Sequence, residues 1–446
     1  MIKNTKIGFV SLGCPKNQID TEIMLGDLAA AGYTITSEEI DADIIIINTC
    51  AFIESAKREA IDNILDIAWL KKNKNLKHII VAGCLVERYC DEVIKEFPEV
   101  DGVIGVGSIR DIVEAVETVM KNEKYVSRKP LIDLALGGDR VVTTPEYSAY
   151  LKIAEGCDNH CSYCAIPSIR GSYRSRSIED IVSEAETLAA LGAKELILVA
   201  QDTTSYGIDI YNEYKLAELI KKITENTTVE WIRLLYCYPD KITPELISEI
   251  CDNPKVVKYI DIPIQHISDR ILQLMNRRGG GTAVRSAITA LRSAVPGIAV
   301  RTTALVGFPG ETNEEFEELC QFVKESGFER FGAFAYSREE GTPAYDMDGQ
   351  IDEQTKQDRL DIIMDLQLGI NSKLNEAKIG HTVTVLCEGY DVVSEMYYGR
   401  SYADAPDIDG KIYFTCPKRL KNFEGKFINV KITSALDYDL IGEAVL

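Results

Sequence analysis

The sequence predicts an α/β protein in three parts: an N-terminal parallel-sheet α/β domain, a central (β/α)6 partial barrel and a small C-terminal antiparallel β-barrel. Three observations carry this. Short apolar runs alternate with helix-like segments over about residues 5–120. The same alternation then repeats six times between about 149 and 373. After 377 it gives way to short strand-like runs broken by Gly, Asp and Pro.

In the first block, residues 6–11 read as a buried strand. Residues 18–31 follow as a helix stopped by Gly32, and 43–47 and 78–82 are two further apolar strands. Apolar runs alternating with helices argue a parallel sheet covered on both faces. Residues 121–148 show no period and read as a linker or crossing segment. In the second block the strands are 149–154, 195–200, 231–236, 257–263, 298–306 and 330–336. Ser177 with Asp180, and Thr312 with Glu315, are helix start signals, each followed by apolar residues at helical spacing. Six such units suggest an open or partial barrel with its chemistry at the C-terminal ends of the strands. In the third block, 382–386, 411–414, 427–432 and 440–445 are short strands between turns, the pattern of a small antiparallel barrel.

Composition is that of an ordinary globular chain. No apolar run approaches the roughly 20 residues that span a bilayer. The apolar stretch 7–12 is too brief for a signal-peptide core. The protein therefore reads as cytosolic, with no membrane partner. A net charge of −21 disfavours general nucleic-acid binding, where a basic field supplies much of the affinity. It leaves open both simple solubility and a basic protein partner. The third block is itself mildly acidic, with ten Asp and Glu against seven Lys and Arg over 380–446.

Twelve cysteines in a reducing compartment are poor candidates for structural disulfides. Cys237, Cys251, Cys320 and Cys387 read as small buried hydrophobes. Two sets of three need another account. Cys14, Cys50 and Cys84 each stand just past the C-terminal end of a predicted parallel strand, the edge at which open α/β sheets bind ligands. Gly13 and Gly83 let the backbone approach closely there. Three unrelated buried cysteines would give the same pattern. Cys157, Cys161 and Cys164 form one C-x3-C-x2-C run after the first strand of the second block. Zinc with His160 as fourth ligand is disfavoured, because His160 directly precedes Cys161 and structural zinc sites use separated ligand pairs. A redox pair would leave Cys157 unexplained. A 4Fe–4S cluster held by three thiolates leaves one iron open to bind a substrate or cosubstrate. It could give one electron to a bound sulfonium and release an organic radical.

This spacing resembles that of the radical S-adenosylmethionine (SAM) enzymes. With Cys14, Cys50 and Cys84 ahead of it and a small barrel behind, nearly the whole chain is similar to the methylthiotransferases. The run Ser11-Leu12-Gly13-Cys14-Pro15-Lys16-Asn17 is similar to the branch that modifies a ribosomal protein; the tRNA-modifying branch typically carries Gln-Met in place of Pro15-Lys16. The stretch Cys164-Ala165-Ile166-Pro167-Ser168-Ile169-Arg170-Gly171 fits both branches.

The resemblance implies a methylthiotransferase domain over 5–120, a linker over 121–148, a radical SAM core over 149–373 and a TRAM-like barrel over 377–446. It implies two 4Fe–4S clusters, on Cys157, Cys161 and Cys164 and on Cys14, Cys50 and Cys84. It implies SAM both as radical source, bound at the first-named cluster, and as methyl donor. The substrate would be the β-carbon of an aspartate on small-subunit ribosomal protein S-twelve, free or in the small ribosomal subunit. No sulfur donor or electron donor is indicated. An unactivated C–H bond offers no handle for acid–base chemistry, which agrees with a radical route. The competing readings are a tRNA methylthiotransferase and a non-catalytic iron–sulfur or zinc-binding module.

SAM would also need partners for its ribose, adenine and carboxylate. Gln201, Asp202, Gln265 and Arg301 lie at or near strand ends and are placed to supply them, although ordinary rim residues would look the same. His266 has no evident role. Tyr163 either shields the cluster or simply packs. Residues 277–281 lack the P-loop pattern and read as a flexible loop; 314–318 read as a solvated helix face.

Overall fold

The computed structural model describes residues 5–416 and 423–445. The first sheet has six parallel strands. From one edge to the other they are Thr34–Thr36, Lys6–Ser11, Ile44–Thr49, His78–Gly83, Gly102–Ile104 and Tyr125–Ser127. Ile44–Thr49 is buried along its whole length, as a central strand covered on both faces must be. The chain runs outward from Lys6–Ser11 to Thr34–Thr36, then returns to the other side with Ile44–Thr49. This reversal is a topological switch point, where open sheets leave a crevice beyond the strand ends.

Three of the six strands are only three residues long and carry little apolar signal, so the sequence does not announce them. One of them corrects the linker expected over 121–148. Tyr125–Ser127 pairs with Gly102–Ile104 and completes the first sheet. The rest of the segment crosses the first helix, Pro15–Ala30. Arg140 pairs with Glu22 and, at 2.8 Å, with Glu184, while Val141 donates its N–H to the Glu22 carbonyl at 3.0 Å.

The second sheet is also parallel and six-stranded, and open. Its strands follow chain order: Ser148–Lys152, Glu195–Val199, Trp231–Leu234, Val256–Asp261, Ala299–Val306 and Arg330–Ala335. Right-handed crossovers in one direction put all the connecting helices on one face. Ser177 caps Ile178–Ala190, and Thr312 with Glu315 makes a full capping box for Asn313–Ser326. Side chains sort by parity along each strand. In Glu195–Val199, Leu196 and Leu198 pack under the helices. Ile197 and Val199 face the other way, into a core continuous with that of the first sheet.

The third part is a closed five-stranded barrel. Its order is Thr382–Asp391, Met396–Arg400, Ile412–Thr415, Leu440–Ala444 and Phe427–Ala435. All pairings are antiparallel except that of Ile412–Thr415 with Leu440–Ala444. Met396–Arg400 is the strand the sequence pattern does not reveal. The loop after it leaves the barrel and enters the central unit, where Ala403 and Ala405 join the shared core. No helix among the described residues is long and apolar enough to cross a membrane.

Candidate active site

Parallel register builds the first cysteine set. Thr49 is level with Gly83, so Cys50 and Cys84, each one residue on, stand side by side at the C-terminal edge. Ser11 is level with Asn48, and Leu12 donates to the Asn48 carbonyl at 2.9 Å, which brings the Cys14 loop to the same edge. Cys14 and Cys50 thus flank the switch point. Gly13 has φ +91, and a Cβ there would lie 2.7 Å from the Cys50 Cβ. Cys14 is the N-cap of Pro15–Ala30 and Cys84 opens Cys84–Glu96, so both thiols sit at the positive ends of helices, where thiolates are favoured.

Two cations attend this set. The Arg170 guanidinium lies 3.5 Å from the Cys84 Sγ. The Lys16 ammonium lies 3.4 Å over the ring of Tyr236. Burial works against the Lys16 charge, but Tyr236 and Cys14 outweigh it and hold its pKa above the ordinary value. Burial pushes the Cys84 thiol up to about 12, against the pull of Arg170. Burial, with Cys14 beside it, raises Cys50 too.

The second set hangs in the loop after Ser148–Lys152 and the two-residue strand Ala154–Glu155. Cys157 N–H donates to the Gly171 carbonyl at 3.1 Å, closing the loop. The Cys161 Sγ is 3.0 Å from the Tyr238 hydroxyl, and the Ile166 N–H reaches the Cys164 Sγ at 3.4 Å. Burial raises the Cys157 thiol to about 11. It raises Cys164 also, with Cys161 adding to the effect. His160 is exposed, with φ 50, so its ring is not drawn into the set. Tyr163 packs edge-on against Phe308 at 6.5 Å.

Among the described residues, no three His, Cys, Asp or Glu side chains are arranged to grip a single ion. A cubane asks for something else, one thiolate on each of three separate irons. Each set offers three cysteines at one edge, within electrostatic reach of one another. Thiols raised by burial must give up their protons to such a cluster as it binds.

The residues expected to hold SAM fare differently. Gln201 lies just beyond Glu195–Val199. Its Nε2 donates to the buried Glu155 carboxylate, and its Oε1 is buried with no partner among the described residues. Asp202 has both oxygens occupied. It accepts from Asn159 at 2.8 Å, Lys241 at 2.6 Å and the Ser205 hydroxyl at 2.8 Å through one oxygen, and from Thr204 and the Ser205 N–H through the other. It anchors the cysteine loop through Asn159 rather than offering a free oxygen. Gln265 has φ 68, and its backbone bridges to the next strand at Ala304. Arg301 pairs with Asp261 at 3.0 Å and with Asp409 of the loop that enters from the barrel at 3.4 Å, so its charge is spent inside the protein. His266 donates from Nε2 to Glu311 at 3.0 Å, because its Nδ1 already accepts from the Ser268 N–H.

Several neighbours escaped the sequence reading. Arg277 is not part of a flexible loop. It is buried, with its guanidinium 4.4 Å from the centre of the Tyr238 ring, and the glycines after it open the helix Gly280–Ala294. Glu155 is fully buried between Lys152 and Arg170. Burial alone would raise its carboxyl, but the two cations hold it down at about 2. Arg170 ends the short helix after Cys164 and reaches Asp20 of the first unit at 2.5 Å. The sequence shows Lys16 and Arg170 inside the cysteine motifs, but not the direction in which they point.

Family comparisons cover most of the chain. Residues 6–105 match the uncharacterized protein family UPF0004, 151–323 the radical SAM superfamily and 379–445 the TRAM domain. The ribosomal protein uS12 methylthiotransferase RimO of Acetivibrio thermocellus is 52% identical, over 99% of this chain and 98% of its own length. The protein of the same name from Thermoanaerobacter sp. is 51% identical, over 98% and 99%. Among solved structures, the radical SAM methyltransferase TsrM of Kitasatospora setae superposes with a TM-score of 0.58 at 13% identity, over 77% of each chain. The cobalamin-dependent radical SAM enzyme OxsB does so at 0.51 and 13%, over 81% of this chain and 56% of its own. These two share the fold. Identity over nearly the full length with the first pair goes further: the chain belongs to the RimO family of methylthiotransferases, within the radical SAM superfamily.

Proposed function

We propose that the protein methylthiolates the β-carbon of an aspartate on ribosomal protein uS12, the S-twelve protein of the small subunit. One SAM would serve as radical source and one as methyl donor. The observation that carries this is the pairing of two three-cysteine sites at the strand ends of adjoining parallel sheets, in a chain half identical to RimO proteins. We assign Cys157, Cys161 and Cys164 to one 4Fe–4S cluster and Cys14, Cys50 and Cys84 to the other. When bound, a cluster with an open iron supplies the electron that cleaves SAM and the site from which a hydrogen-abstracting radical starts.

The protein's own residues do the rest. The Tyr238 hydroxyl, 3.0 Å from the Cys161 sulfur, is the donor to it once that sulfur is a thiolate ligand. Asp202 and Lys241 hold Asn159, and with it the loop between Cys157 and Cys161. Gln201, with its unpartnered carbonyl, is the polar contact for SAM among the four residues expected to bind it. Gln265 lies at the next rim position but one, its side chain free of hydrogen bonds among the described residues. Asp202 and Arg301 enter as supports of the site. The cytoplasm, where ribosomal proteins are made and used, is the compartment this function requires.

The test is mass spectrometry of purified uS12 after incubation with reconstituted enzyme, SAM, a reductant and a sulfide source. A methylthio mass shift is expected, abolished by Cys161→Ala and separately by Cys50→Ala. Iron should fall from about eight to about four per chain in either variant, at four irons per cluster. Methylthiolated tRNA beside unmodified uS12 would replace this reading with its tRNA counterpart. Zinc without iron would end both.

A further inference from the structure

We propose that Arg170 is a positioning residue that registers the first cysteine site against the second and supplies a cation to the first site's sulfurs. This rests on the cluster assignment above and deepens it. Arg170 ends the helix Ile166–Arg170, which starts two residues after Cys164. Its side chain, 2% exposed, then leaves the central unit. Nη1 lies 2.5 Å from Asp20 and 3.4 Å from Glu155, two residues before Cys157. Nη2 lies 3.1 Å from the Asn17 Oδ1 and 3.5 Å from the Cys84 Sγ.

Asn17 extends this reach. Its Nδ2 donates to the Leu12 carbonyl at 2.6 Å and to the Asn48 and Thr49 carbonyls at 3.4 Å. The Leu12 carbonyl belongs to the loop that carries Cys14, and the other two to the end of the strand that leads into Cys50. One guanidinium is therefore tied to all three arms of the first site, directly at Cys84 and through Asn17 at the other two. Its other end is tied to the root of the second site.

A plain structural ion pair explains less. Lys152 already joins Asp20 to Glu155, at 2.9 and 3.1 Å. Arg170 adds a second arm whose Nη2 group turns to Asn17 and a cysteine sulfur. Only the planar fork of arginine addresses four partners at once; an ammonium is a single point with three donors.

The test isolates the first site. In the full chain carrying Cys157→Ala, Cys161→Ala and Cys164→Ala, only Cys14, Cys50 and Cys84 remain to load a cluster, and its midpoint potential is read by EPR-monitored titration. Adding Arg170→Gln is expected to weaken reduction about tenfold, or about 59 mV for one electron. A cation beside a ligand sulfur favours the reduced cluster, whose net charge is more negative. Arg170→Lys is expected to recover about half of that shift, since it keeps the charge and loses the fork. Equal potentials in all three proteins, or Lys no better than Gln, overturn the proposal. A parent that loads no iron overturns the cluster assignment itself, so the two failures are distinct. If Arg170→Gln does not fold, Arg170→Lys in the otherwise native chain decides. The ratio of 5′-deoxyadenosine to methylthiolated uS12 should rise about tenfold, the factor that about 1.4 kcal/mol of lost positioning gives, with SAM affinity unchanged. An unchanged ratio overturns the proposal.

Discussion

At the scale of single residues, the sulfur of Cys161 is the place where a small change reads out cleanly. The Tyr238 hydroxyl is 3.0 Å away, and Arg277 lies over the same ring at 4.4 Å, holding it in place. A hydrogen bond to a charged acceptor is worth about 1.5–3 kcal/mol. Donated to a thiolate ligand, it draws negative charge off the cluster and eases reduction. Tyr238→Phe should therefore leave the iron content near that of the parent. It should make the potential of this cluster more negative and slow SAM cleavage about tenfold or more, as the loss of about 1.4 kcal/mol or more requires. EPR titration together with 5′-deoxyadenosine release measures both, and an unchanged potential would remove Tyr238 from the site. The 157–164 run stands out in the sequence by residue type and spacing together, whereas Cys14, Cys50 and Cys84 stand out only as strand-end cysteines, and it is strand register that brings them to one edge. Asp202 and Arg301 were legible only as rim positions. Whether a rim carboxylate or guanidinium is free depends on Lys241 and Asp409, which are far away in sequence and meet it only in the fold.

At the scale of elements, the first site depends on how closely three strands end together. Gly83 closes the strand His78–Gly83 with φ +94. A Cβ there would lie 2.3 Å from the Asn48 Oδ1 and 2.7 Å from the Thr49 carbonyl. Gly83→Ala must therefore adopt a conformation L-residues avoid, at about 1–3 kcal/mol, and also push Ile44–Thr49 aside. The expected result is a lower urea midpoint and iron falling from about eight toward about four per chain, with SAM binding at the second site kept. Full iron in Gly83→Ala would show that the strand edge does not set the first site. The same scale explains what the sequence concealed. Long apolar strands such as Ile44–Thr49 declare themselves. Three-residue strands such as Tyr125–Ser127 are defined by the neighbour they pair with, so their segment looked like a linker. The glycines after Arg278 looked like a flexible loop, yet they begin a 15-residue helix, because Asp269 receives the N–H of Gly281 at 2.7 Å.

At the scale of the whole molecule, the barrel is fastened to the central unit by buried charge as much as by apolar contact. Glu195, at the start of the second strand of the central sheet, accepts from Arg233 at 2.7 Å and from Arg400 at 2.6 Å. Arg330 pairs with Asp404 of the inserted loop. Such pairs add little over apolar packing, but breaking one leaves a buried charge uncompensated at about 3–5 kcal/mol. Burial would raise the Glu195 carboxyl, yet Arg400 and Arg233 hold it down at about 2, against an ordinary value of 4.5. Its folded pKa is thus below its unfolded one. The stabilisation from Glu195 is complete above the unfolded value and drains away as pH falls from about 4.5 toward about 2. Asp404 is held down in the same sense, with burial opposing and Arg330 prevailing. Attachment of the barrel should therefore be flat around neutral pH and weaken in acid, seen as faster proteolytic cutting around residues 401–411 below about pH 4. Glu195→Gln removes the titrating group and leaves the buried Arg233 without a carboxylate partner among the described residues, while Arg400 keeps Glu388 at 2.6 Å. It should lower stability by about 3–5 kcal/mol at pH 7 and flatten the acid limb. If wild type and Glu195→Gln weaken in parallel as the pH falls, the acid sensitivity lies elsewhere and Glu195 does not fasten the barrel.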